Sequence, residues 1–146
     1  MKSTLFLRIA SVLTMIHSIL HTIGGVFGKP GPGAASVAFA AMQANQFMVY
    51  GLTRTYADFY LGLGLALTIS MTVEAIVFWQ LGTLAKTHAR AIRPIAATFA
   101  VGYLVIAVNS WFHFFQAPVV VEILIALCLV MAVMTAEPAS PAGARR

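Results

Sequence analysis

The sequence predicts an all-α membrane protein: a four-transmembrane-helix bundle with a short interfacial helix between helices 1 and 2. Three observations indicate this class. Of the 146 residues, 60% are hydrophobic and 9% are charged, whereas a soluble domain carries about 25% charged residues. The mean hydropathy is +0.90. The apolar residues fall into four long runs, each close to the roughly 20 residues that cross a bilayer. Four spans and their loops use this length, so we expect one membrane domain over residues 1–136.

The first helix is expected over residues 4–27. Its apolar run contains Arg8 and two histidines and exceeds the roughly 7–15 apolar residues of a secretory leader, so we interpret it as a retained span. Residues three and four apart share a helix face, which puts His17, His21 and Gly24 on one stripe. Ionisable residues within a span usually face the bundle interior. The stripe is therefore predicted to be an inward seam.

The sequence GKPGPG at residues 28–33 ends this helix, because proline cannot continue a helix and glycine favours turns. Residues 35–50 follow with an uneven apolar face and three amide side chains. This pattern is typical of a helix that lies along the membrane surface. An irregular loop is the alternative for this segment.

The other spans are expected over residues 55–81, 92–114 and 118–136. The first half of the second span is rich in glycine and alanine, which suits close helix packing. Pro94 is tolerated in the third span because it lies in the first turn. Residues 137–146 are polar and rich in proline and alanine, which predicts a disordered tail.

The basic residues predict the orientation, because cytoplasmic loops are enriched in lysine and arginine. With four spans, both termini and the loop between the second and third spans share one side, which holds seven of the nine basic residues. We therefore expect a protein of the cell (inner) membrane with both termini cytoplasmic. The net charge of +5 is explained by these topology-determining basic residues, so we expect no nucleic-acid partner. The seven are Lys2, Arg8, Lys86, Arg90, Arg93, Arg145 and Arg146, and the other two are Lys29 and Arg54.

Each predicted span carries a polar or ionisable group in its outer half, and we predict that these groups converge on one cavity. His21 lies about 10 Å inside the outer end of the first span by helical rise. Asp58 opens the second span, and Glu122 lies about one turn inside the fourth. Carboxylate and imidazole groups suit proton transfer, so these three are the predicted catalytic groups if the protein is an enzyme. The predicted ligand-binding residues are His17, Gln46, Tyr60, Asn109, Trp111 and His113.

Structural roles are the alternative for these residues. His17 and His21 would then hydrogen-bond across the bundle, and Asp58 would form an ion pair with Arg54, four residues earlier. Glu122 would extend to the nearby surface. Trp111, Phe112, Phe114 and Phe115 would form an interfacial aromatic belt.

A metal or haem site is a further, weaker alternative. His17 and His21 form an HxxxH pair on one helix face, and His113 would complete a metal site or serve as an axial haem ligand. The HExxH motif is absent, and the single cysteine, Cys128, lies in an apolar run where packing is its expected role.

In the inner half, Arg8 and Glu74 are expected to pair or to extend towards the headgroups.

The stretches HSILHTIGG, ADFYLGLGL and NSWFHFF give the chain a resemblance to known membrane proteins. Their arrangement on four apolar helices resembles small bacterial membrane proteins of the DoxX-like kind. More distantly, it is similar to the four-helix plan of EXPERA-type sterol isomerases and sterol-binding proteins. The resemblance implies a lipid-open cavity with acidic residues. No motif aligns residue by residue, so it assigns no catalytic residue.

Together these observations predict a membrane protein whose outer-half cavity binds a lipophilic small molecule. Isoprenoid, sterol-like, quinone and fatty compounds all fit, with acid–base chemistry such as isomerisation if the protein is an enzyme. Two alternatives stay open: a non-catalytic subunit of a larger membrane complex, and a metal- or haem-binding electron carrier. Membrane lipid is an expected partner. The sequence is compatible with a homo-oligomer or with a larger membrane complex. It does not indicate a cofactor.

Overall fold

The computed structural model describes residues 2–136, and 81% of them lie in helices. Four helices of this described part are long and apolar enough to cross a membrane. That finding confirms the predicted class at the level of helix number, length and composition. The predicted disordered tail, residues 137–146, lies outside the described residues.

The elements follow the predicted order, and the bounds of the long helices differ from the prediction by one to three residues. The first helix also changes character near its end, where a π-helical segment replaces the last α-helical turns. The elements are α1 (Lys2–Leu20), the π-helical segment (His21–Val26), α2 (Ala34–Ala44), β1 (Gln46–Val49), β2 (Leu52–Thr55), α3 (Tyr56–Leu84), α4 (Ala89–His113) and α5 (Gln116–Met134).

A β-hairpin between α2 and α3 departs from the predicted all-α fold. The helix expected over residues 35–50 ends at Ala44, and β1 then pairs with β2 in antiparallel register. The turn residues Tyr50 and Gly51 have positive φ values of 49° and 78°. Two-residue turns with positive φ at both positions match the twist of paired strands. This turn explains why the chain reverses here instead of continuing as a surface helix.

The contacts divide the chain into two compact units. The first comprises residues 1–17 and 72–146, of which the structure describes 2–17 and 72–136. Its core combines segments of all four long helices, and small residues on α4 and α5 let these two helices approach closely. The buried core residues are Leu7, Ala10, Phe78, Leu81, Ala85, Ile92, Ala96, Ala100, Tyr103, Ile125, Ala126, Leu129, Ala132 and Ala136.

The second unit, Ser18–Met71, contains the end of α1, the π-helical segment, α2, the hairpin and the start of α3. Val26 packs against Gly64 of α3, where a Cβ atom would lie 3.0 Å from the Val26 Cγ2 atom. The close packing predicted for the glycine-rich half of this helix is thus present at Gly64. The Phe47 ring lies 4.9 Å from the Tyr56 ring and holds the hairpin against the start of α3. That the two units form a single membrane domain stays a prediction.

Candidate functional site

Glu122 is a carboxyl group enclosed between two apolar helices. Only 4% of the residue is exposed. The Ser110 hydroxyl on α4, which is also buried, donates a 2.9 Å hydrogen bond to Glu122 Oε1. Glu122 Oε2 is buried and has no hydrogen-bond partner among the described residues. Because an unsatisfied polar group in an apolar environment is costly, the carboxyl group of Glu122 keeps an unmet demand for a hydrogen-bond partner.

The connection between α4 and α5 explains this pairing. Ser110 lies one turn before the end of α4, and Glu122 lies within the first two turns of α5. A connection of only two residues, 114–115, makes the helices antiparallel neighbours. Residues near the adjoining helix ends then face one another, so the hydroxyl and the carboxyl meet.

An apolar groove of about 440 Å³ lies between the same two helices. Its lining includes Ala107, one turn before Ser110. On α5 it includes Val119, three residues before Glu122, and Ile123, directly after it. Small-molecule sites typically enclose about 300–1,000 Å³ and combine apolar walls with a few polar groups. The lining residues are Leu104, Ala107, Val108, Trp111, Phe112, Val119 and Ile123.

The predicted site residues of α4 divide between the groove and the exposed surface. Trp111 lines the groove, whereas Asn109 and His113 are exposed and do not line it. Phe112, which the sequence analysis assigned only to an aromatic belt, also lines the groove. A role of any of these residues in ligand binding stays a prediction.

The predicted residues His21, Tyr60 and Gln46 belong to the second unit. His21 is half-buried at the start of the π-helical segment, and its Nε2 donates a 3.2 Å hydrogen bond to the Gly64 carbonyl oxygen. Tyr60 is 55% exposed. Gln46 is exposed and pairs with Thr55 in the hairpin.

Asp58 caps α3. Its Oδ2 atom accepts a 2.8 Å hydrogen bond from the Thr55 backbone N–H, and the Thr55 hydroxyl accepts a 3.0 Å bond from the Asp58 N–H. This reciprocal pair is a capping box. The cap is the principal contact of Asp58, and the Arg54 guanidinium donates to the Thr53 carbonyl. Arg54 acts on Asp58 as a weaker electrostatic neighbour. The Thr-x-x-Asp spacing was the sequence signal for this cap.

The three predicted catalytic residues therefore have three different contacts. Glu122 binds Ser110, His21 binds Gly64, and Asp58 binds Thr55. Glu122 belongs to the first unit, and the other two belong to the second. His17, another predicted ligand-binding residue, is half-buried in the first unit. Convergence of these residues on one cavity stays a prediction.

A polar cluster that the sequence analysis did not predict joins three helices of the first unit. The Tyr103 hydroxyl donates a 2.6 Å hydrogen bond to Glu74 Oε2 and lies 3.5 Å from Thr14 Oγ1. Thr14 in turn donates to the Ala10 carbonyl at 2.9 Å. Of the two outcomes expected for Glu74 and Arg8, pairing is not found, because Arg8 contacts Thr83 and Trp79 instead. Extension of the two side chains towards the headgroups stays a prediction. A buried tyrosine needs a hydrogen-bond partner, which was the available signal.

Within residues 2–136, no group of three or more His, Cys, Asp or Glu side chains is placed to hold a metal ion. The alternative metal site with His17, His21 and His113 therefore lacks such a cluster. Its haem variant stays untested.

No family model, no curated protein and no solved structure matches this chain.

Proposed function

We propose that the protein is an integral membrane protein that binds a lipophilic small molecule in the groove between α4 and α5. The observation that carries the proposal is the apolar groove of about 440 Å³, whose lining residues Val119 and Ile123 are helix neighbours of Glu122. Glu122 itself does not line the groove, and its Oε2 atom is buried without a hydrogen-bond partner among residues 2–136. The ligand class is an isoprenoid, sterol-like, quinone or fatty compound with one hydroxyl or carbonyl group.

Each part of the site suits one part of such a ligand. The apolar lining residues contact the hydrocarbon, and Trp111 and Phe112 offer flat aromatic surfaces. Glu122 Oε2 accepts a hydrogen bond from a ligand hydroxyl when the carboxyl is ionised, and it donates to a ligand carbonyl when protonated. Ser110 fixes the carboxyl orientation through Oε1. If the protein is an enzyme, Glu122 is the group that moves the proton.

We further propose a bacterial inner membrane with both termini cytoplasmic, on the basis of the seven-to-two distribution of basic residues. In this orientation the groove lies in the outer half. Reporter fusions at Pro32 and His88 test it: position 32 should be outside and position 88 inside. An outside signal at position 88 would reverse the orientation and leave the groove itself unaffected.

The binding proposal is tested with four diazirine-bearing probes: an isoprenoid alcohol, a sterol, a quinone and a fatty acid. The full chain is reconstituted in vesicles, and photolabelling is measured against an excess of unlabelled compound. We expect one probe class to label saturably. Glu122→Gln keeps an amide oxygen and N–H groups but removes the charge and the acidic proton of the carboxyl, so labelling should weaken about tenfold.

Two valines of α4 provide a matched pair of variants. Val108 lines the groove and is 60% exposed, whereas Val105 is 63% exposed and does not line it. Val108→Trp should fill the groove and abolish saturable labelling, while Val105→Trp should leave it intact. Equal labelling of both variants, or no saturable labelling by any probe class, would contradict the proposal.

A further inference from the structure

Arg8 is a cation within a membrane-length helix, and its described partners are uncharged. Its Nη2 atom donates a 2.8 Å hydrogen bond to the Thr83 hydroxyl. Its guanidinium carbon lies 3.4 Å from the centre of the Trp79 ring, a close cation–π contact. Its Nη1 atom is buried and has no hydrogen-bond partner among residues 2–136. A guanidinium held in this way has its charge unmatched and donors unused.

The surrounding residues hold the guanidinium in one place. A Cβ atom at Gly82 would lie 3.2 Å from Arg8 Nε, so glycine leaves the space that the side chain occupies. Trp79, Gly82 and Thr83 all lie in the last turns of α3. The Trp79 ring lies against the guanidinium carbon, Gly82 lies next to Nε, and Thr83 accepts a hydrogen bond from Nη2. Glu74, the carboxylate of α3 that lies in the same unit as Arg8, accepts its hydrogen bond from Tyr103 and is not a partner of Arg8.

The position of Arg8 selects the type of anion that could reach it. Arg8 lies about 9 Å along the helix from Lys2, and Trp79 about 7.5 Å from the end of α3, at a rise of 1.5 Å per residue. Arginine side chains at such depth extend towards the headgroups. Lys86 and Arg90 are exposed beside the same end of the first unit, and basic residues attract anionic lipid.

We propose that Arg8 binds the phosphate of an anionic phospholipid, with Trp79, Gly82 and Thr83 positioning the guanidinium. After the bond to Thr83, Nη2 keeps one hydrogen and Nη1 keeps both, so hydrogens on both nitrogens remain for phosphate oxygens. The phosphate would supply the acceptor that the buried Nη1 atom lacks among residues 2–136. The site is separate from the α4–α5 groove, because none of its four residues lines that groove.

The experiment uses the full chain with Trp111→Phe, which leaves Trp79 as the single tryptophan. The protein is reconstituted in phosphatidylcholine vesicles with a rising fraction of phosphatidylglycerol, and Trp79 fluorescence is followed. Because Arg8 variants also alter the Trp79 environment, bound phosphatidylglycerol is counted independently by native mass spectrometry. Circular dichroism confirms helicity for each variant.

We expect a saturable response, with half-saturation shifted about tenfold by Arg8→Gln, as expected for lost charge-assisted hydrogen bonds. Thr83→Val keeps the charge and should weaken binding less. Arg90→Gln, which removes an exposed charge at the same end, should keep the saturation. Equal weakening by Arg8→Gln and Arg90→Gln would overturn the proposal, since binding would then reflect surface charge alone. A full response to inorganic phosphate would also overturn it, since the source would not be lipid.

Discussion

Substitution of Tyr103 by phenylalanine tests whether the cluster of Glu74, Tyr103 and Thr14 stabilises the first unit. The substitution removes the hydroxyl that donates a 2.6 Å bond to Glu74 Oε2. It keeps the ring, which is 4% exposed and lies 6.1 Å from the Phe78 ring. The packing of the ring is therefore nearly unchanged, and the measured decrease in the free energy of unfolding reports the loss of the hydrogen bond.

The free energy of unfolding is expected to fall by about 1.5 kcal/mol, a value chosen from two reference ranges. A hydrogen bond to a charged group contributes about 1.5–3 kcal/mol in soluble proteins, whereas side-chain bonds between membrane helices average about 0.6 kcal/mol and reach about 1.7 kcal/mol. The short distance and the carboxylate acceptor place this bond near the upper membrane value.

The assay is reversible unfolding in mixed micelles, followed by circular dichroism. Tyr60→Phe is the matched control, because Tyr60 is 55% exposed, and it should change stability by less than about 0.5 kcal/mol. A double-mutant cycle with Glu74→Ala assigns the energy to the pair. Additive effects of the two substitutions, or equal losses for the two tyrosine variants, would refute this account of the cluster.

Two further predictions concern the second unit. Asp58→Ala should destabilise the protein by about 1 kcal/mol, as expected for a lost cap, and should leave probe labelling in the groove intact. Loss of labelling in the folded variant would instead support Asp58 as a site residue. Gly62→Ala should be neutral or stabilising by up to about 1 kcal/mol, because nothing lies within 4 Å of the added Cβ. Gly64→Ala should be less stable than Gly62→Ala by about 1 kcal/mol or more, since its Cβ would meet Val26. Thermal unfolding of the two glycine variants measures this difference, and equal stability would contradict the packing at Gly64.

The sequence predicted the helices well because length and hydropathy alone determine a membrane-length helix. It did not predict the hairpin, since Tyr50–Gly51 is not one of the Asn-Gly or Asp-Gly pairs that usually mark such turns. Asp58 shows how a local signal was assigned to the wrong interaction. The same residue is four positions from Arg54 and three from Thr55, and its hydrogen bonds go to Thr55, with Arg54 only a weaker electrostatic neighbour.

The candidate site was less predictable, because side-chain partners depend on how each helix is rotated. The sequence of α5 is apolar on every side, so no periodicity shows which face packs on α4. Glu122 could therefore be placed by depth, but Ser110 could not be chosen over Asn109 as its partner. Glu74 and Tyr103 are 29 positions apart, and no local pattern brings them together.

The central claim is that a lipophilic ligand occupies the groove beside Glu122. The most direct test maps the photolabel to individual residues by peptide mass spectrometry, using the probe class that labels saturably. We predict cross-links on α4 within residues 104–112 and on α5 within residues 119–123, and their loss in Val108→Trp. Saturable cross-links confined to residues 18–71 would contradict the claim and place ligand binding in the second unit.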